Sequence, residues 1–184
     1  MRKNYGIKNF LYPMPVLIIG TYDKDGNPNA MNAAWGGITD FDKISIALSS
    51  HQTTDNILLN KAFTVSFGTK EFVAACDYVG MVSYKFDKEK FKKAGFTETK
   101  SEYVNAPIIN ELPMALECVF ESFENEVMVG KIVNCSCDEK FLDEDGNPDL
   151  NKFTPITFDP IHNQYREIGA FVGNAFSIGK KGIK

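Results

Sequence analysis

The sequence predicts a mainly β fold with helical insertions, arranged as an antiparallel barrel. Three observations predict it. Apolar and β-branched runs bounded by turn residues occupy both ends of the chain. Most connections between them are too short for the crossovers that parallel strands require. Helical patterns are confined to the middle, which argues against a doubly wound sheet.

The elements follow in order. Residues 15–22 carry Val16, Ile18, Ile19 and Thr21 between Pro13, Pro15 and the run Asp23-Lys24-Asp25-Gly26. Asp25-Gly26 is a hairpin signal because glycine accepts the positive φ that such turns need, and the chain returns through residues 28–38. Residues 43–48 set Ile44, Ile46 and Leu48 against Ser45 and Ala47, the alternation of a half-buried strand. Thr53 or Thr54 is expected to cap a short helix running to Asn60, with Asp55 favourable in its first turn. Residues 63–67 form a fourth strand. Residues 70–79 and 87–94 read as helices, the second closed by Gly95. Residues 113–122 and 127–137 read as a long antiparallel pair turning at Glu124-Asn125-Glu126. A polar loop over residues 143–148 precedes short segments at 155–158 and 165–176.

At 184 residues the chain suits one domain with a real core, residues 1–184. A net charge of −4 leaves no electrostatic footprint for nucleic acid. The basic cluster at residues 88–93 alternates with Asp87, Glu89 and Phe91 and reads as a solvated helix face. That at residues 180–184 reads as a frayed end. No apolar run approaches the roughly 20 residues of a membrane span. Pro13 and Pro15 interrupt the first apolar stretch, so no signal peptide is expected and the cytoplasm is the expected location. Cys76, Cys118, Cys135 and Cys137 read as small buried hydrophobes rather than a disulfide framework. Cys135 and Cys137 share a strand face, but no further ligands complete a metal site.

The chemistry concentrates in two runs. Asn29-Ala30-Met31-Asn32-Ala33-Ala34-Trp35 leaves a tight turn as a strand whose small side chains let a flat ligand approach the backbone. Ser49-Ser50-His51-Gln52-Thr53-Thr54 offers hydroxyls, an imidazole and free amides where a strand gives way to a helix, a seat for phosphate. Together they outline a site for flavin mononucleotide, FMN. Each residue also has a plainer reading: Trp35 as a core aromatic, Asn32 as a turn cap, residues 49–54 as a helix entrance, His51 and His162 as surface residues. Phosphate-loop lysine, nucleophile-elbow and dinucleotide glycine motifs are absent. With two histidines in the chain, a multi-histidine metal centre is excluded.

Tyr12-Pro13-x-Pro15-Val16, Gly26-x-Pro28 running on to Trp35, Ser49 through Ile57, Phe63-Thr64-Val65-Ser66 and the late Phe176-Ser177-Ile178-Gly179-Lys180 occur in an order that resembles the flavin reductase-like family, and most closely its flavoredoxin branch. The resemblance implies a split β-barrel, a homodimer and FMN near the subunit interface. It places Asn32, Ala33, Ala34 and Trp35 along the isoalloxazine, largely through main-chain groups. Ser49, Ser50, His51, Thr53 and Thr54 would hold the ribityl chain and phosphate, with Asp77 and Ser83 near the flavin. It identifies no catalytic acid or base. His51 stands where relatives often have arginine, so FMN affinity is expected to fall as the imidazole loses its proton. Nicotinamide-using relatives often carry Gly-Asp-His where this chain has Glu124-Asn125-Glu126, a departure that weighs against direct NAD(P)H oxidation. Three functions remain open on these grounds: an FMN electron carrier served by a redox partner protein, an NAD(P)H-dependent flavin or ferric reductase, and a module binding another flat ligand.

Overall fold

The computed structural model describes residues 1–181. The chain begins with the strands β1 (Met14–Pro15), β2 (Leu17–Tyr22), β3 (Pro28–Ala33), β4 (Gly36–Asp40) and β5 (Lys43–Ala47). Helix α1 (Gln52–Asn60) and strand β6 (Ala62–Phe67) follow, then α2 (Val73–Met81) and α3 (Lys90–Lys93). The remainder is β7 (Glu98–Lys100), β8 (Pro107–Ile109), β9 (Met114–Glu124), β10 (Val127–Cys137), β11 (Ile156–Asp159) and β12 (Gln164–Glu167).

Seven strands form one sheet in the order β3-β2-β6-β9-β10-β5-β4, with every neighbouring pair antiparallel. Its two edge strands, β3 and β4, are consecutive in the chain and separated by only Ala34 and Trp35. Two residues cannot span an open seven-stranded sheet. The sheet therefore curls until its edges meet at that link, closing a barrel whose seam is covalent rather than hydrogen-bonded. The expected single strand over residues 28–38 is thus two strands. The chain leaves one edge at Ala33 and enters the other at Gly36, and the bend falls on the small-residue run.

Alternation on β2 explains why the run reads as continuously apolar. Leu17 and Ile19 point into the barrel, among Ile44, Ile46, Phe63, Val65 and Met128. Val16 and Ile18 point outward, under Cys76 and Val79 of α2 and beside Phe91 and Phe96. Both faces are covered, so no polar residue alternates. Inside, Gly130 makes room for Phe63: a Cβ there would lie 2.3 Å from the ring's Cζ. Asn125 and Glu126 both take positive φ, 50° and 62°, giving the tight two-residue turn between β9 and β10.

Several boundaries differ from the sequence reading. Helix α1 begins at Gln52, with His51 as the flanking residue, so Thr53 and Thr54 lie in its first turn rather than capping it. α2 and α3 are displaced and shorter than expected. The β7–β8 hairpin was not foreseen; its strands are three residues each, too short to write a period. The segment expected at 165–176 is strand only over β12. Cys76 and Cys118 are buried as expected, but Cys135 is exposed and Cys137 half-buried. Burial pushes the Cys76 thiol up to about 12, so it is no ready nucleophile. No group of metal-ligating side chains occurs among the described residues, and none of their helices is long and apolar enough to cross a membrane. Of the terminal basic cluster, Gly182, Ile183 and Lys184 lie outside the described residues.

Candidate functional site

The bend between β3 and β4 and the entrance of α1 face each other across one cleft of about 480 Å³. Asn32, Ala33, Ala34 and Trp35 line one side, and Ser49, His51, Gln52 and Thr53 line the other. Thus seven of the nine residues singled out from sequence share a wall. Ser50 and Thr54 stand outside it. Ser50 is exposed beyond the rim, and the Thr54 hydroxyl donates to the Ser49 carbonyl at 2.8 Å, holding the loop that presents Ser49. Trp35 is no core aromatic: 59 % of it is exposed.

The ring-sized side of the cleft is a main-chain surface. Ala34 and Trp35 belong to neither edge strand, and their N–H groups donate to no acceptor among the described residues, whereas Trp35 O accepts from Ala47 N–H at 2.7 Å. Unpaired backbone donors beside small side chains are a recognition surface awaiting acceptors. Asn32 is fixed from behind, its Nδ2 donating to the Cys76 carbonyl at 3.1 Å. α2 comes this close because residue 80 is glycine; a Cβ there would meet Asn32 Cβ at 2.9 Å.

The opposite end is built for an anion. The first N–H groups of α1 lack intrahelical acceptors, and no side chain caps them. His51 Nε2 lies 2.8 Å from Ser49 Oγ. Thr53 is 2 % exposed, and its Oγ accepts a hydrogen bond from Asn29 Nδ2 at 2.9 Å. With that acceptor role filled, the Thr53 proton is left to donate into the cleft. Behind it, Asn56 Nδ2 donates to Thr21 Oγ at 3.0 Å and Gln52 Nε2 to Asn56 Oδ1 at 3.0 Å, a polar ladder that locks α1 onto β2.

Sequence reasoning missed the cation of this site. Lys90 lines the cleft and is 3 % exposed. Its run reads as a solvated helix face, yet α3 turns both Phe91 and Lys90 inward. Lys90 Nζ donates to the carbonyls of Val79 and Val82, at 2.8 and 2.7 Å, where α2 ends. Among the described residues no carboxylate pairs with it, and burial lowers its pKa to about 8. Charge alternation concealed it; only the packing of α3 on α2 reveals it. Ser83 and Tyr84 also line the cleft.

A smaller cavity of about 220 Å³ adjoins through Asn32, Ala34, Gly80 and Met81 and adds Asp77, Phe158 and Tyr165. Tyr165 donates its hydroxyl to Asp77 Oδ1 at 2.7 Å. Both residues named from resemblance, Asp77 and Ser83, therefore border the same hollow system. His162 takes no part. It sits at the β11–β12 turn with Nδ1 2.9 Å from Asp159 Oδ2. That carboxylate also binds Tyr12 Oη and Arg166 Nε and pins the N-terminal segment. Hydrogen bonds, led by that of Tyr12, hold Asp159 well below the usual carboxylate range.

A curled antiparallel sheet with a cleft at its seam defines the split-barrel class of flavin-binding redox proteins. The chain belongs to the flavin reductase like domain family, whose model matches residues 9–162. Among solved structures it is similar to the flavoredoxin of Desulfovibrio vulgaris (Miyazaki F), at 36 % identity over 97 % of this chain and 100 % of that one, with a TM-score of 0.92. It is also similar to the flavoredoxin from Methanosarcina acetivorans, at 29 % identity, 99 % and 100 % coverage and a TM-score of 0.86. An uncharacterized protein of Aquifex aeolicus (strain VF5) is 27 % identical over 167 residues, 82 % of each chain. These likenesses put the chain in the flavoredoxin branch of the family.

Proposed function

We propose that this protein binds FMN in the seam cleft and serves as a flavoredoxin-like electron carrier, acting as a homodimer. The observation that carries the reading is the cleft itself. It joins a shelf of unpaired backbone donors to an anion seat made of Thr53, His51 and free helix amides, one at each end of a single hollow that Lys90 also lines. About 480 Å³ falls within the range of small-molecule clefts, roughly 300–1,000 Å³. The residues fit the group: Ala33 and Ala34 leave the ring room, and the cation and hydroxyl suit a phosphate.

Bound FMN supplies reversible one- and two-electron chemistry. The chain's part is to bind and tune it. N–H groups at Ala34 and Trp35 favour negative charge on a ring laid against them. The turn between β9 and β10 supports a protein partner over a nicotinamide donor. Glu126 O accepts from Leu48 N–H at 2.8 Å, and Leu48 lines the cleft, so the turn stands beside it with Glu124 and Glu126 exposed. A pyrophosphate is repelled there. The free thiols of all four cysteines suit a reducing compartment and support a cytoplasmic location.

The test is a titration of purified, flavin-stripped protein with FMN, followed by fluorescence quenching and the visible spectrum, then anaerobic mixing with NADH or NADPH. Tight stoichiometric uptake with slow bleaching is expected. Absence of uptake removes the flavin reading, and fast bleaching by nicotinamide alone replaces the carrier with a reductase.

A further inference from the structure

Three hollows meet at one side chain. Tyr84 lines the seam cleft, a second cleft of about 470 Å³ and a third of about 200 Å³. It is 4 % exposed, and it stands at the anion end, next to Gln52, which borders both the seam cleft and the third hollow. We infer that Tyr84 is the specificity wall of the site, ending the cleft just past the phosphate seat so that the protein takes a flavin mononucleotide and rejects a flavin dinucleotide. The inference rests on the FMN reading above and adds the residue that sets its selectivity.

The wall is held from behind. Tyr84 donates its hydroxyl to Asp23 Oδ2 at 2.8 Å. Asp23 cannot follow the ring if it swings, because its Oδ1 accepts the N–H groups of Asp25 and Asn27 at 2.9 and 2.8 Å. Against the upward push of burial, the bonds from Asn27, Tyr84 and Asp25 pull this carboxyl down to about 2, so it remains an acceptor at neutral pH. Turning the ring aside would leave Asp23 Oδ2 with only the longer bond from Asn27 Nδ2, at 3.2 Å, in place of the Tyr84 hydroxyl.

What lies beyond the wall explains why it matters. The larger outer cleft has Phe91 and Phe96 in its floor, with Lys88 and Lys92 balanced by Glu89 and Glu98 around it, room and an aromatic floor for a base. The smaller one sets Asp23, Asp25 and Asp55 against Lys24 and Lys88, with Lys24 paired to Asp25 and Lys85 reaching Asp55 at 4.0 Å, so carboxylates already holding their cations line the way past the wall. A dinucleotide continues from the very phosphate that a mononucleotide ends on. With Tyr84 in place its adenylate half has no route to the aromatic cleft and meets the carboxylates instead. Selectivity here is a difference of affinities produced by obstruction.

The experiment titrates the stripped wild type and Tyr84→Ala, Tyr84→Leu and Tyr84→Phe variants with FMN, FAD and riboflavin. Wild type is expected to prefer FMN over FAD by at least about tenfold. Tyr84→Ala and Tyr84→Leu should bring that ratio down by about tenfold, with riboflavin affinity unchanged because the ring end is untouched. Tyr84→Phe, which keeps the ring but loses Asp23, should fall between. Equal wild-type affinity for FMN and FAD overturns the inference without any variant having to fold. So does an unchanged ratio in a variant that keeps riboflavin affinity. Failure of the wild type to bind any of the three overturns the FMN reading itself, a result distinct from binding without discrimination.

Discussion

At the scale of single residues, the site is governed by where protons point. Asn29 Nδ2 donates to Thr53 Oγ and orients the hydroxyl, so that the Thr53 proton is the part left to meet an anion. Asn29 is fully buried, and its Oδ1 has no partner among the described residues, so its role rests on Nδ2, which also reaches Thr21 Oγ at 3.5 Å. Asn29→Asp would present an acceptor to Thr53, capture its proton and add negative charge beneath the phosphate seat. Asn29→Leu removes the donor alone. Both should weaken FMN by roughly ten- to a hundredfold, Asp the more, as expected for a lost bond to a charged group. Riboflavin affinity should not move, and equal losses for both flavins would refute the role. Lys90 supplies the pH dependence. Burial has lowered its pKa from 10.5 to about 8, and an anion bound in the cleft it lines would favour the charged form. FMN affinity should therefore fall as pH rises past about 8, by up to about tenfold per pH unit, while Lys90→Met gives a weak and flat profile over that window. Folding has the opposite sign. Between about 8 and 10.5 the unfolded lysine holds a proton that the folded one has released. The flavin-free protein should gain stability with rising pH there, a trend that chemical denaturation at stepped pH would measure.

At the scale of elements, the ring end depends on how closely α2 lies on β3. Gly80 permits the approach that lets Asn32 reach the Cys76 carbonyl. Gly80→Ala forces a Cβ against Asn32 Cβ, which has no freedom to yield, and should cost about 1–3 kcal/mol in thermal or denaturant unfolding. It should weaken FMN and riboflavin by the same factor, the opposite signature to the Asn29 variants; a loss confined to FMN would show that α2 serves the phosphate end instead. The elements also show what the sequence could reveal. β2 and β5 were legible because burial dictates their residues, on two faces for β2 and one for β5. The β9–β10 pair was legible because a two-residue turn between long strands has few alternatives. β7 and β8 were not, being three exposed or edge residues whose pairing depends on the rest of the chain. At the site, the runs 32–35 and 49–53 could be found because each is local. Lys90 and Tyr84 could not: Lys90 takes its meaning from the end of α2 and Tyr84 from the Asp23 turn, 61 residues away, and a charged residue's burial leaves no periodic trace.

At the scale of the whole molecule, the distribution of apolar surface argues for a second copy. Ile38 and Phe41 stand exposed on and just beyond β4, an edge of the sheet, and Trp35 stands exposed at the seam. Farther along, Phe171, Val172, Phe176 and Ile178 project from a stretch with little regular structure. Bulky side chains scattered singly on a surface need no explanation, but several of them on one edge strand and its seam, with four more in one short segment, suit surfaces that another chain covers. Symmetric pairing is the commonest way for one chain to cover such a surface. The cleft gives the pairing a functional consequence. Trp35 walls the ring end while 59 % exposed, so a partner docked on that face would shield the flavin's edge from water and strengthen the interactions there. Light scattering coupled to size exclusion should therefore give twice the chain mass of 20.6 kDa. Replacing Phe41 and Phe176 together with aspartate should halve that mass and weaken FMN and riboflavin alike, because the ring end loses its cover. A wild-type chain that runs as a monomer at every concentration refutes the pairing. A variant that becomes monomeric yet binds both flavins as tightly as before separates the interface from the site, leaving Trp35 exposed for some other contact.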